Sequence, residues 1–419
     1  MRDFNLGSIA PGLNNRLDLA RLGVSDKAGR RTFLHAAQNV DLSAQGFAKR
    51  RRGQTVAVEA ASAHSIWADP SGAFGLAVLD GALTRLDPEG SGLRATIVRG
   101  GMASAPVSYS SGADGAVYWT NQHEVRRLIG ASDLPVATDG LSSAPALQLT
   151  AGALRAGLYL YAFTVQGDAG ESAATVIQQI SVPAAGGLVL DAPGLAGRSV
   201  NLYLSGPDGD VLSLVQTSSA GAFLVVAPTE GGKRLRTGQT ASMPPGSIVR
   251  HFKGRMLVAA GAVLYFSRPY NYGLYDAASG FIPFPAPISV VQPVESAAGG
   301  GIYIAADKTY WLPDLSGGAL VPVLPFGGIP GSGGTSPDQL TAFWGSPQGL
   351  VVGDGSGAVK TPQQDAMFFG PAAYGASLHR EQDGNLHVVT SRLGSGASMA
   401  RATSFIEAEL VRKEQSSDL

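Results

Sequence analysis

The chain has 419 residues, with 31 Lys and Arg against 32 Asp and Glu, 56 Gly, 25 Pro and no Cys, enough for two or three domains with a core in each. Charged residues make up only 15%; the density of Gly and Pro excludes coiled coils and long helical bundles, and the lack of cysteine excludes a disulfide framework and thiol catalysis and argues against a four-ligand structural zinc site. No run approaches the roughly 20 apolar residues of a membrane-spanning helix and the N-terminus lacks the layout of a secretion signal, so no membrane span is expected and the mature protein is expected to be the whole chain.

Residues 1–58 hold ten basic groups against four acids, a net charge of +6, whereas the remainder holds 21 against 28, or -7. The basic residues include Arg30, Arg31 and the run Lys49, Arg50, Arg51 and Arg52. Arginine offers bidentate contacts to phosphate and carboxylate alike, so the run suits a polyanion or an acidic partner subunit; its competitor is a solvated turn. Only Phe4, Phe33 and Phe47 are available to stack on bases, which argues against sequence-reading nucleic-acid binding. No strand alternation is visible in residues 1–55, and the segment reads as an extended arm.

From Gly75 onward, short apolar runs bounded by Gly, Asp, Asn or Pro recur, which is how an all-β chain reads. Hairpin-like units lie at 75–83, 116–121, 256–266, 302–311 and 350–359, with a weaker one at 385–390. Their turns, placed at Asp80, Asn121, Gly261, Asp307 and Asp354, are 41, 140, 46 and 47 positions apart. The long interval contains a stretch of different texture, residues 146–240. There Leu158–Val165 alternates, a polar turn follows at 166–172, residues 174–182 return, and Asp208-Gly209 joins Val200–Leu204 to Val211–Val215 in a further hairpin. Excising this stretch brings the interval into line with its neighbours. A period of roughly 40–50 residues with several short strands is that of a β-propeller blade. The predicted fold is therefore all-β, a propeller of five to seven blades interrupted by an inserted immunoglobulin-like or fibronectin type III-like β-sandwich. The expected domains are a basic arm (1–58), a first propeller segment (59–145), the sandwich (146–240), a second propeller segment (241–412) and a tail (413–419). Residues 403–412 are expected to form a closing strand, with a short amphipathic helix as the competing reading.

The sequence contains no metalloprotease, nucleophile-elbow, P-loop or dinucleotide-binding motif with the right flanks. The nearest approach, Glu230-Gly-Gly-Lys233, lacks the upstream Gly and the Ser or Thr of a P-loop. The histidines His35, His64, His123, His251, His379 and His387 are scattered; no metal and no cofactor is assigned. The stretch Ser111–Trp119 is loosely similar to the Asp-box hairpin of sialidases, a structural turn rather than a catalytic element. Trp67, Trp119, Trp311 and Trp344 each sit beside a blade turn, where core packing is expected and a sugar-facing role is the alternative. No catalytic residue is assigned and the chain is expected not to be an enzyme.

Several segments stand in a recognisable order: Gly12-Leu-Asn-Asn15, Ala37-Gln-Asn-Val-Asp41, Lys49-Arg-Arg-Arg-Gly53, Gly157–Thr164 with Gly170-Glu-Ser172, Met243-Pro-Pro-Gly246, Phe252–Ala259, Leu264–Pro269 and Gly301–Leu312. This order resembles that of tailed-bacteriophage virion proteins of the tail hub or nozzle kind, although Arg52 stands where that family has Pro. The resemblance implies a propeller subunit in a ring, commonly sixfold, that extends the DNA channel below the portal and adaptor, retains or conducts the genome, and contacts other tail proteins. It implies a location in the virion after assembly in the cytoplasm of a host bacterium, with sequence-independent passage of double-stranded DNA through the lumen. Within that reading Lys49, Arg50, Arg51, Arg52, Arg30 and Arg31 are the expected inter-subunit or partner contacts. The alternative is a tail-tip or surface propeller that binds or cleaves bacterial glycans.

Overall fold

A computed structural model describes residues 13–26, 29–35, 40–42, 48–50, 56–90, 92–229, 231–296, 299–317, 320–336, 338–362, 366–382, 385–393 and 404–412. The described residues contain strands, turns and two short 3-10 segments, Leu19–Arg21 and Pro193–Leu195, but no α-helix. The chain divides into two compact units, Met1–Met102 with Pro285–Leu419, and Ala103–Phe284.

In the first unit, three sheets each run through four consecutive antiparallel strands. Blade A comprises Ala63–Ala68, Gly75–Leu79, Ala82–Glu89 and Gly92–Arg99; blade D comprises Val290–Val294, Gly301–Ala305, Thr309–Leu312 and Val321–Leu324; blade E comprises Gly334–Thr335, Thr341–Ser346, Gly349–Asp354 and Val359–Lys360. A three-stranded sheet, blade F, is built from Tyr374–Gln382, Asn385–Leu393 and Ser404–Arg412. The second unit holds blade B (Ser108–Ser111, Val117–Thr120, Val125–Ile129, Ser132–Pro135) and blade C (Ile248–Phe252, Arg255–Ala260, Val263–Arg268), extended by Asn271–Asp276, Phe281–Pro283 and Thr240–Ser242. These up-and-down sheets are the blade unit of the β-propeller class.

Turn chemistry explains why the strands reverse where they do. Asp80 and Gly81 both have positive φ (49° and 75°), as do Lys253 and Gly254 (46° and 72°), the backbone that a two-residue hairpin with right-handed strand twist requires. Between blades, apolar side chains interlock. Val290, Tyr303 and Ala305 of blade D share one core with Ala342, Trp344 and Val351 of blade E. Ala116 and Tyr118 of blade B pack with Val249, Met256, Val258 and Tyr272 of blade C. Trp119 and Trp344 are fully buried, and burying such a side chain contributes on the order of 2–3 kcal/mol.

Between blades B and C the chain makes two further sheets: Gln148–Leu154, Gly186–Asp191 and Ala222–Val225 in one, and Gly157–Gly167 with Gly170–Glu171, Gln178–Val182, Ser199–Leu204 and Ser213–Ser218 in the other. Their facing sides share a single core that includes Tyr161, Phe163, Leu188, Leu190, Val200, Leu202 and Phe223. The alternation of Leu158–Val165 is what places this layer. The layer is fastened to its own unit, for Arg127 donates to the Asp168 carbonyl (2.9 Å), Thr138 Oγ1 to that of Gly170 (2.7 Å) and Arg198 to that of Asp139 (2.9 Å).

Three expectations need correction. The described part of residues 1–55 is not a bare extended arm: Gly23–Asp26 pairs with Gly29–Thr32 and Val40–Leu42 with Ala48–Arg50, and residues 13–16 are joined to the body. These strands are three or four residues long, too short to show alternation. The turn of blade E equivalent to Asp80, Asn121, Gly261 and Asp307 is Pro347–Gln348; Asp354 lies one hairpin later, between the third and fourth strands. The strong Asp-Gly-Ser-Gly turn signal there masked the weaker one before it. Finally, residues 404–412 form the expected strand rather than a helix, but among the described residues its one partner is the preceding strand of the same blade and not a strand from the start of the chain.

Candidate functional site

The N-terminal segment is held by side chains that imitate backbone. Asn15 donates through Nδ2 to the Phe368 carbonyl (3.0 Å) and accepts through Oδ1 from the Phe368 amide (2.8 Å), while its own amide donates to the Ala366 carbonyl (2.9 Å). Asn14 is buried, and its Oδ1 accepts from the amides of Arg16 and Leu17, an Asx turn that sets the direction of the chain. Arg16 donates to the Met367 carbonyl and to Gln348 Oε1 (2.8 Å) and lies over the Phe368 ring. Leu13 packs on the core of Ile329, Phe343, Leu350, Met367 and Phe369. These residues form a clasp across more than 350 positions of sequence.

The predicted basic contacts lie on the hairpins that follow. Arg30 and Arg31 stand opposite Ser25 and Val24, and Lys49 and Arg50 opposite Asp41 and Val40, in two separate two-stranded sheets. Arg50 is exposed. Arg51 and Arg52 lie outside the described residues.

Three further segments that carry the family resemblance make hydrogen bonds within or between blades. In Met243-Pro-Pro-Gly246, the Gly246 amide donates to Thr120 Oγ1 (2.9 Å) and the Gly246 carbonyl accepts from Thr120 Oγ1 (2.8 Å) and the Gln122 amide (2.8 Å), which pins blade C to blade B. Ser267, in Leu264–Pro269, accepts the Met256 amide and donates to the Arg268 carbonyl. Tyr303, in Gly301–Leu312, donates to the carbonyls of Asp354 and Ala358 and stacks on Trp311 and Trp344 at centroid distances of 4.6 and 5.2 Å.

Three carboxylates are built into the fold. Glu171 accepts from Thr164 Oγ1 (2.6 Å), Tyr203 OH (2.6 Å) and Lys233 Nζ (2.8 Å). Burial pushes its carboxyl up, but the bonds from Lys233, Thr164 and Tyr203 outweigh this and hold it below the ordinary glutamate value. Lys233 of the Glu230-Gly-Gly-Lys233 stretch is thus a counter-ion. Asp133 accepts from Trp119 Nε1 (2.9 Å) and Arg126 Nε (2.6 Å). Asp114, in the stretch similar to an Asp box, accepts from the Ala116 amide and from Tyr118 OH (2.7 Å); burial and this bond raise the Tyr118 hydroxyl. Trp67 is half-buried against Phe74. Among the described residues no three His, Asp or Glu side chains stand close enough to hold a metal ion. A shallow depression of about 630 Å³ is lined by Val56, Val58, Glu59, Ala60, Ala61 and Asp80, where Asp80 is already bonded to Ser62.

Sequence reasoning reached Asn14, Asn15 and Glu171 only through a resemblance, without giving any of them a bonding role, and missed Asp133 altogether. The signal available for Glu171 was the pair Thr164 and Tyr203, polar groups at alternate positions among apolar neighbours.

No protein-family model matches the chain, and no curated protein matches it. Among solved structures, it is similar to the Swd1 beta-propeller domain of Myceliophteria thermophila Cps50, at 12% identity over 82% of this chain and 98% of that one, with a TM-score of 0.35. It is similar to Kluyveromyces lactis Hsv2, at 8% identity over 84% and 99%, with a TM-score of 0.33. It is also similar to Sqt1 from Chaetomium thermophilum, at 11% identity over 83% and 86%, with a TM-score of 0.33. The blade assignment rests on the sheet order of this chain itself.

Proposed function

We propose that the protein is a structural subunit of a tailed-phage virion, a ring component of the tail that extends the DNA channel and retains or conducts the genome. The observation that carries this reading is where the family-like segments fall. Leu13–Asn15, Met243–Gly246, Leu264–Pro269 and Gly301–Leu312 are clasps, blade joints and core strands, so what these segments have in common is architecture. The carboxylates of Glu171, Asp133 and Asp114 each accept hydrogen bonds from side chains of the fold, which supports a structural role for them. In this reading the two-sheet insert is an immunoglobulin-like or fibronectin type III-like module. Lys49, Arg50, Arg51, Arg52, Arg30 and Arg31 contact neighbouring subunits or an acidic adaptor ring, where multivalency multiplies weak pairs. The ring is sixfold, and contact with DNA is confined to its lumen and independent of sequence.

Electron microscopy of the purified protein, run beside a polysaccharide depolymerisation assay, tests the proposal. Ring-shaped particles without depolymerising activity are expected. Isolated single copies that degrade bacterial polysaccharide would replace this reading with the glycan-active alternative.

A further inference from the structure

A sheet edge is a row of unpaired amides and carbonyls, and folds suppress it with short strands, prolines or charges. The chain does so at the last strand of most blades. In blade B that strand is Ser132–Pro135 and ends in proline, in blade C Phe281–Pro283 has three residues and ends in proline, in blade D Val321–Leu324 contains Pro322, and in blade E Val359–Lys360 has two residues. Blade A lacks the short strand and the proline, although it carries charges and a bulge at Val98. Its last strand, Gly92–Arg99, runs eight residues without proline, with Ile97 70% and Leu93 37% exposed. Arg94 lies 4.0 Å from Asp87 with its side chain 62% exposed.

The register shows which groups this edge offers. Glu89 pairs with Gly92 across a two-residue connection, so that closing pair is hydrogen-bonded and the pairs alternate from there. Leu93 stands opposite Pro88, which has no amide to give, as a non-hydrogen-bonded pair requires. Leu93, Ala95 and Ile97 therefore direct their amides and carbonyls away from blade A.

We propose that Gly92–Arg99 is a docking edge that pairs with strand Ser404–Arg412 of a second copy, an inference that rests on the reading of this chain as an assembling subunit. Ser404–Arg412 is nine residues long, and among the described residues its one strand partner is Asn385–Leu393, which leaves it last in blade F. Its sequence carries Glu407 and Glu409 against Arg412, a net charge of -1, opposite in sign to the exposed Arg94. Pairing one edge with a different edge of the next copy is a head-to-tail contact, which closes into a ring when the rotation fits. Main-chain bonds supply the affinity and the charges fix the partner.

Sedimentation velocity on the full chain and its variants tests this. Ile97→Pro removes an outward amide and leaves the ladder to Ala82–Glu89 intact; it is expected to weaken self-association by about tenfold or more while the melting temperature stays near that of the wild type. Arg94→Glu is expected to do the same, and adding Glu407→Arg with Glu409→Arg to restore assembly. An assembly insensitive to Ile97→Pro overturns the docking edge and leaves the subunit reading standing; a charge reversal that is not restored overturns Ser404–Arg412 as the occupant. A wild-type chain that remains single overturns both.

Discussion

Replacing Glu171 by alanine tests how far the buried polar network stabilises the second unit. The Glu171 side chain is 9% exposed, and both Thr164 and Tyr203, which donate to it, are fully buried. Removal leaves two buried hydroxyls without their acceptor, at about 1 kcal/mol or more each, and forfeits the strength of hydrogen bonds to a charge. Lys233 is 54% exposed and regains water, so its share is discounted to about 1 kcal/mol or less. The total is about 2–4 kcal/mol. For a body the size of Ala103–Phe284 this corresponds to a fall of about 5–15 °C in its melting transition, read by differential scanning calorimetry, with Glu171→Gln losing about half as much. The pH dependence has a definite sign. The carboxyl sits below its ordinary value in the folded chain, so its contribution is fully present above the unfolded-state value of 4.5 and is lost as pH falls through the lower folded value. The gap between wild type and Glu171→Ala is therefore widest near pH 7 and narrows in acid. A variant melting within about 1 °C of the wild type at pH 7 would refute the reasoning, because a stranded buried hydroxyl alone costs more.

Other substitutions probe the joints. Asn14→Ala removes a buried acceptor of two amides and is expected to cost about 1–2 kcal/mol; hydrogen exchange of residues 13–22 rises first, and an unchanged rate speaks against the clasp. Thr120→Val deletes both side-chain bonds to Gly246 and is expected to cost about 1–2 kcal/mol, seen as a lower urea midpoint of the second unit; no shift in that midpoint counts against the joint. Arg50→Glu, at an exposed position, is expected to leave the melting temperature unchanged and to weaken self-association in sedimentation, whereas unaltered association removes Arg50 from the contact.

Much of the fold was legible because strand alternation and turn residues are local. Leu158–Val165 reads as a strand and is one, although from Tyr161 onward it is buried on both faces rather than on one. Asp80-Gly81 carries the positive φ values its composition announces. What escaped was non-local. The clasp is made of asparagine side chains bonded to a backbone more than 350 positions away, and no period in the sequence encodes such a contact. Glu171 reads as belonging to a polar turn until Lys233 is brought to it by the path of the chain. Asp354 misled because a turn signal marks a reversal without saying which pair of strands it joins. The strand Gly92–Arg99 was equally hidden, since the hairpin-like unit read at 75–83 stops short of it.

The account stands most directly on whether this chain associates with itself. A mass measurement in solution, by light scattering or native mass spectrometry, decides it. The account predicts one discrete species at a whole multiple of 42.9 kDa, and a single-copy mass at every concentration tested would contradict it.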